Sequence, residues 1–381
     1  MHDEAWCLID FGLTEDQEAL QRAAREFLVR ECPPALVRET ATTPDGVPRA
    51  LYARMAELGW MGLVVPEKEG GLGLSILDLA LVLEELGRAA APGPFLPTQL
   101  VIHALLRAGA GAQRKAWLPR LVAGECFAAL AYLEESDRHD AEGITLPARR
   151  TRDGWRLGGT KLFVMGAPGA ELLLVAARTG RKGVSLFLVE TSAPGVRVRR
   201  DETIDLTRRV GEVSLRDVGV ERSALVGREG AGWPLLARLL DLGAIGLAAD
   251  SLGGAARALE MAVEYSKVRQ QFGRPIGSFQ ALKHMAAETV SEVEPARSLV
   301  WYAAYAFDHR PREAARAAAI AKARLGEVYS RTVDRSVQMH GGIGFTWEHD
   351  LHLWFKRARW NEVAFGDPAY HRERLATMDG Y

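Results

Sequence analysis

The stretch RARWNEVAFGDPAYH (residues 357–371) places two carboxylates, Glu362 and Asp367, on either side of Phe365. A carboxylate held beside a reacting carbon can accept a proton; a phenyl ring cannot. A third acidic residue, Asp241, stands two positions before Gly243 in a run that reads as helix. Whether any of these is a general base, or each is a solvent-facing or capping carboxylate, decides whether the chain does chemistry by itself. The other reactive residue types point away from common chemistries. Cys7, Cys32 and Cys126 are odd in number, widely spaced and without a CxxC pair, which argues against a disulfide framework and a structural zinc site, so no metal is expected. The basic runs Arg197-Val-Arg-Arg200 and Thr207-Arg-Arg209 are short and read as solvated faces.

The elements that must position these residues follow from periodicity. LTEDQEALQRAAREFL opens with the capping-box pair Thr14 and Gln17, then sets Leu20, Ala23, Ala24, Phe27 and Leu28 on one helical face. The glycine-punctuated ELGWMGLVVPEKEGGLGLS (57–75) ends such a helix, and ILDLALVLEELGRAA resumes the spacing until PGPFLPT breaks it. From about 121 to 225 the period changes to short β-rich runs: Trp155-Arg-Leu, Lys161-Leu-Phe-Val, the run from Glu171, Val184-Ser-Leu-Phe-Leu-Val, Val196-Arg-Val and Gly211-Glu-Val-Ser-Leu. Turn signals such as Asp153-Gly154 separate them, which suggests a small sandwich or barrel. After Gly232 three apolar stripes return at helical spacing, the second predicted to be interrupted at Pro295. The fold class is therefore α+β: an N-terminal helical domain (1–120), a small middle β-barrel or sandwich domain (121–228) and a C-terminal four-helix bundle (229–381). A cleft between such units is where cofactors commonly sit.

Bulk properties exclude several partners. Across 381 residues the net charge is −1, with 48% hydrophobic and 25% charged residues, so no electrostatic footprint for nucleic acid or an anionic membrane is present. No run of about 18 apolar residues occurs, so no membrane span is expected. The opening MHDEAWCLIDFG lacks a basic segment followed by an apolar core, so no signal peptide is read and a cytoplasmic location is expected.

Three stretches go beyond pattern. VEYSKVRQQFGRPIGSFQALKH (263–284) and VQMHGGIGFTWEHDLHLWFKRA (337–358) closely resemble the two C-terminal signatures of acyl-CoA dehydrogenases. VVPEKEGGLGLS (64–75), with the opening GLTEDQEALQRAAREFL, is similar to the N-terminal signatures of the same family, and the likeness runs in order from about residue 10 to 375. It implies an FAD enzyme that removes the α-proton and β-hydride of an acyl-CoA thioester, a carboxylate taking the proton and the flavin the hydride, with an electron-transfer acceptor downstream. It also implies that the bundle of one subunit completes the FAD site of its neighbour. On that likeness Arg269 pairs with the neighbour's FAD pyrophosphate, a role suited to a permanently charged, bidentate guanidinium. Phe272 matches the aromatic beside the adenosine portion, Phe279-Gln280 the pair that follows, and Gln338, Met339, His340, Gly341 and Gly342 the segment whose glycines admit close backbone approach.

The sequence departs from the family where a subunit serves its own flavin. The family's TEPGAGSD-like segment is represented by AYLEESDRHDAEG (131–143); aligned on Glu134, its threonine is Leu133 and its glycine-rich turn is Glu135-Ser-Asp-Arg138. In the WITNG-like segment Phe163 replaces tryptophan and Met165 replaces threonine. Each lost hydroxyl removes a hydrogen bond of roughly 0.5–1.5 kcal/mol. The family's common base, counted from Phe355 to Arg359, falls on Phe365, and the alternative position on the first bundle helix falls on Gly243. Asp241 is turned by about 200° from Gly243, whereas Glu362, if its segment is loop, or Asp367 could reach. The catalytic residue stays unassigned.

Three readings stay open. The favoured one is a base-lacking subunit of a heteromeric acyl-CoA dehydrogenase, such as a heterotetramer, in which a homologous chain brings the glutamate and this chain completes the FAD site. Bulky lipid or steroid acyl-CoA substrates suit such enzymes by analogy. The second is a self-sufficient homo-oligomeric dehydrogenase with a relocated base, Glu362 first. The third is a helical scaffold without flavin.

Overall fold

The structure, a computed structural model, describes residues 12–180 and 183–381; the opening segment read above for a signal peptide, with Cys7, lies outside the described residues. The first third is helical: α1 (Glu15–Glu31), α2 (Pro34–Thr40), α3 (Arg49–Glu57), α4 (Ile76–Arg88), α5 (Phe95–Ala108) and α6 (Gly111–Val122). Helix α1 begins at the expected capping box, with Thr14 Oγ1 accepting from the Gln17 N–H at 3.2 Å and the Gln17 side chain returning the bond at 3.1 Å. Ser75 and Asp78 cap α4 in the same reciprocal way.

Eight strands follow: β1 (Ala128–Ala131), β2 (Ala148–Arg150), β3 (Gly154–Met165), β4 (Leu172–Arg178), β5 (Val184–Glu190), β6 (Val196–Arg200), β7 (Val210–Glu221) and β8 (Leu225–Val226). They form two four-stranded sheets, ordered β1-β4-β5-β8 and β2-β3-β7-β6, with β1 and β4 the parallel pair. The sheets pack as a small sandwich: Ala129, Leu173, Val175 and Phe187 of the first meet Trp155, Leu157 and Val213 of the second. The alternate residues of the first sheet, Leu130, Leu172, Leu174 and Leu186, instead join the large core with the helices. Both faces of β4 and β5 are thus covered, which is why they read as continuous apolar runs rather than alternating ones.

The last third holds α7 (Trp233–Val268), α8 (Gln280–His309) and α9 (Ala314–His340), followed by α10 (Leu351–Val363) and α11 (Pro368–Met378). A two-residue hairpin, β9 (Gln270–Gln271) with β10 (Arg274–Pro275), links α7 to α8. The expected interruption at Pro295 is corrected: α8 runs through it. Pro295 faces solvent, and Val293, Ala296 and Val300 are buried around it, so packing on the inner face outweighs the one backbone bond that proline removes. Among the described residues no helix is long and apolar enough to cross a membrane.

Three parts of the chain meet at one buried ionic cluster. Asp250 on α7 receives the Arg357 guanidinium of α10 in a fork, at 3.0 and 2.5 Å, and Arg208 of the β6–β7 loop at 2.7 Å. Asn361 donates to the same carboxylate at 2.7 Å, while Arg357 also reaches the Ala91 carbonyl and Thr207, each at 2.9 Å. All of these side chains are buried. Burial alone would raise the Asp250 carboxyl, but the two guanidiniums outweigh it and hold it at about 2.

Candidate active site and cofactor cavity

The turn that follows α10 carries Phe365 and Gly366, both at positive φ (58° and 94°). For a phenylalanine that conformation is uncommon and must be held by its surroundings. Three groups hold it. Lys322 of α9 donates to the Glu362 carbonyl at 3.0 Å and the Gly366 carbonyl at 2.8 Å, and His371 Nε2 donates to the Phe365 carbonyl at 3.0 Å. Asp367 caps α11, its Oδ1 accepting from the Tyr370 N–H at 2.7 Å.

Phe365 projects onto α7. A Cβ built on Gly243 would lie 2.7 Å from the Phe365 ring, so the ring occupies the space that any side chain at 243 would need. The two positions where the resemblance implies a base are therefore neighbours in space, one empty of side chain and the other an apolar ring filling the gap. The ring also stacks on Tyr132, with centroids 6.0 Å apart and planes 21° from parallel. Beside it opens a cavity of about 460 Å³ between the end of β1, β3 and the α10–α11 turn. Leu133, Phe163 and Met165, the three apolar replacements, all line this cavity, together with Trp360. Phe163 sits at positive φ (50°) where the β3–β7 register slips, a bulge that leaves its ring 62% exposed.

The neighbouring carboxylates have other partners. Glu362 lies within α10, not in a loop as its reach would require; its Oε2 accepts from Ser330 Oγ at 2.7 Å, on the side facing α9, and it does not line the cavity. Asp241 pairs with Arg374 at 2.7 Å, away from the cavity as the helical turn predicts. Glu134 receives the buried Lys161 ammonium at 2.6 Å and the Leu146 N–H at 3.0 Å, joining the end of β1 to β3. Asp367 and Asp137 are the carboxylates on the cavity wall among the described residues, and Asp367 is committed as the α11 cap.

Burial lowers the Lys322 ammonium to about 7. An unfolded lysine titrates near 10.4. Between these values the unfolded chain binds the extra proton, so this residue's contribution to stability rises with pH. The native protein should therefore gain stability relative to Lys322→Met from about pH 7 to about pH 10. Urea denaturation of both chains across that range checks this; parallel profiles would overturn it.

A second cavity, about 810 Å³, opens where the β9–β10 hairpin meets the end of α9. It gathers Arg269, Phe272 and Phe279 with the continuous run Gln338 to Gly342; Tyr265 and Ile343 complete its rim. Arg269 ends α7, its backbone anchored through Tyr265 and Ile276, and its side chain is exposed with no ion-pair partner among the described residues. The hairpin turns at Phe272-Gly273, both at positive φ, leaving the Phe272 ring 91% exposed and edge-on to Phe279 at 6.0 Å. Gly341 and Gly342 have nothing within 4 Å of a built Cβ, so backbone is presented to open space. His340 stacks on Tyr265 at 4.6 Å and donates from Nδ1 to the Ser336 carbonyl, leaving buried Nε2 without a partner. Gln280 is the exception: its amide bonds His284 at 3.1 Å, and it does not line the cavity. A free guanidinium, exposed backbone at two glycines and flanking aromatics suit a ligand with a phosphate and an aromatic base. Among the described residues no group of three or more His, Cys, Asp or Glu side chains is placed to hold a metal ion.

This division, helical layer, β-sandwich and helical bundle with one cavity inside and one at the bundle's end, matches one family along the chain. Models of the acyl-CoA dehydrogenase N-terminal, middle and C-terminal domains match residues 14–125, 129–218 and 230–378. The chain belongs to the acyl-CoA dehydrogenase family, whose members depend on FAD. An acyl-CoA dehydrogenase of Bacillus subtilis is 30% identical over 368 residues, covering 93% of this chain and 95% of that one. Among solved structures, the ChsE4-ChsE5 complex from Mycobacterium tuberculosis superposes with a TM-score of 0.90 at 29% identity, covering 98% of this chain and all of that one. The Tcur3481-Tcur3483 steroid acyl-CoA dehydrogenase gives 0.87 at 32% identity, covering 96% and 98%.

Proposed function

We propose that this chain is the base-lacking subunit of a heteromeric acyl-CoA dehydrogenase, one that completes the FAD site of a homologous partner. The observation that carries this reading is the Phe365 ring lying on Gly243: both positions for a base are occupied by groups that cannot take a proton, and the ring fills the space a side chain at 243 would need. Glu362 does not replace them, because it bonds Ser330 on the far side of α10. Asp367 stands on the wall, but its Oδ1 is committed to capping α11, which fixes its direction.

The cavity at the bundle's end supplies the other half of the argument. Arg269 would pair with the partner's FAD pyrophosphate, Phe272 and Phe279 would pack beside the adenosine, and Gly341-Gly342 would let backbone approach the cofactor. FAD bound there supplies the hydride acceptor for the partner's oxidation of an acyl-CoA. Phe272 on that cavity is 91% exposed, and Val268, Phe345 and Trp347, in the segments flanking its lining runs, are exposed at 73%, 72% and 62%, apolar side chains suited to cover by a second subunit. The likeness to a two-component complex and to a steroid acyl-CoA dehydrogenase supports a heteromer acting on a bulky acyl-CoA.

The test is the visible spectrum of the chain purified alone and after co-expression with a glutamate-bearing homologue, before and after anaerobic addition of acyl-CoA thioesters. The expected result is little flavin alone, and near-stoichiometric flavin that bleaches with substrate in the co-expressed assembly. Stoichiometric flavin that bleaches in the chain alone would overturn the reading.

A further inference from the structure

Three histidines pack around the segment that joins α9 to α10. His340 ends α9, His349 stands two residues before α10, and His352 lies in the first turn of α10. The proton positions of two of them follow from partners of fixed polarity. The Ser336 carbonyl can only accept, so His340 carries its proton on Nδ1, at 2.7 Å, and its buried Nε2 is a lone pair without a partner. The Leu351 backbone N–H can only donate, so His349 Nδ1, at 3.2 Å, is a lone pair that caps the start of α10. His352 is buried with neither ring nitrogen bonded. The His340 and His349 rings lie 4.5 Å apart, Tyr265 of α7 stacks on His340 at 4.6 Å, and His352 meets Trp347 edge-on at 4.7 Å.

Each imidazole is therefore arranged for its neutral form. A second proton on His340 or His352 would be a buried N–H with no acceptor, and one on His349 would face the Leu351 N–H and break the cap. An imidazolium at position 349 or 352 would also oppose the positive end of α10. The charged groups facing the three do not compensate. Arg38 of α2 and Lys356 of α10 are cations; Asp350 is paired with Arg38 at 2.8 Å, Glu348 faces Arg38, and Asp205 of the β6–β7 loop faces Lys356. Burial holds all three imidazoles below the usual histidine value, His352 down to about 4 with Lys356 and Arg38 adding to the effect. Released from the fold, the histidines titrate near 6.5 and bind the extra protons, so closure is favoured above about pH 6.5 and is lost as pH falls toward 4. We propose that these three histidines are an acid-released latch: neutral, they hold residues 341–350 closed between α9 and α10; protonated, they let the segment open at Gly341-Gly342 and dismantle the cavity at the bundle's end. The two glycines have open space around them, so the backbone there can turn. That opening also releases flavin rests on the reading of this cavity as part of a partner's FAD site; the latch itself rests on the histidines.

The experiment is hydrogen exchange of the full chain between pH 7.5 and pH 5, corrected for intrinsic exchange, with ¹³C spectra of the histidines recorded alongside. Peptides covering 341–352 should lose protection on the order of tenfold per pH unit below about pH 6, the effect of one linked proton, while those from β4 and β5 stay protected. The three histidines should titrate below the unfolded value near 6.5. His349→Asn combined with His352→Phe keeps a capping acceptor and an aromatic ring that cannot take a proton, and should remove most of the dependence. Protection of 341–352 that is independent of pH in the native chain, its loss together with that of β4 and β5, or an equal slope in the double variant would overturn the inference. In the co-expressed assembly, flavin should leave the native protein at pH 5 and stay with the variant. Opening of the segment without loss of flavin would instead overturn the assignment of this cavity to a cofactor, with the latch intact.

Discussion

Replacing Asp250 with alanine is expected to destabilise the protein by about 3–5 kcal/mol, because it leaves two buried guanidiniums without their counter-charge. Arg357 and Arg208 both lose their carboxylate partner, and Asn361 loses an acceptor. Neither arginine can shed its proton as a lysine could, since the guanidinium stays charged well above any working pH. The effect should reach the cavity. Arg208 lies 5.1 Å over the Trp360 ring, and Trp360 lines the wall beside Phe365, so movement of α10 against the β6–β7 loop would disturb it. The same carboxylate carries an acid limb. Its folded pKa of about 2 is below the unfolded value near 3.9, so its contribution is present above about pH 4 and is lost as pH falls toward 2. Urea denaturation of native protein and Asp250→Ala at pH 7 and pH 3 measures both. A difference below about 1 kcal/mol at pH 7 would show that the cluster is not a stabilising clamp.

Arg269→Ala is expected to strip flavin from the assembly while leaving the fold unchanged. The side chain is exposed and makes no ion pair among the described residues, so its removal breaks nothing within the chain. Against a pyrophosphate it would form charge-assisted hydrogen bonds of about 1.5–3 kcal/mol each, so FAD should bind on the order of a hundredfold more weakly. Arg269→Lys should recover only part of this, because an ammonium restores the charge but not the fork. The measurement is flavin absorbance per protein after gel filtration of the co-expressed complex, with circular dichroism confirming the fold. Unchanged flavin content in Arg269→Ala would remove the argument that this cavity faces a cofactor.

Much of this was legible in the sequence because it is local or periodic. The Thr14–Gln17 box, the apolar stripes of α7 and α9 and the glycine-rich 57–75 segment depend on residues a turn or two apart, where spacing reports geometry directly. The residues gathered at the bundle's end were also readable, since Arg269 to Phe279 and Gln338 to Gly342 are two contiguous runs. β1 was not: Ala-Ala-Leu-Ala lacks β-branched residues and becomes a strand only because β4 pairs with it. β3 was read as two short pieces because Gly158-Gly159, where its pairing with β7 slips, interrupts the β-rich run.

What the sequence determined by itself was the order of elements, the family, and the absence of a carboxylate at 243 and at 365. What only the tertiary structure decided was the relation between those two positions. Residues 122 positions apart are brought into contact by α10 packing on α7, and the ring of one fills the space the other leaves. Spacing along a chain reports which residues share an element; close packing between elements decides which of them share a site.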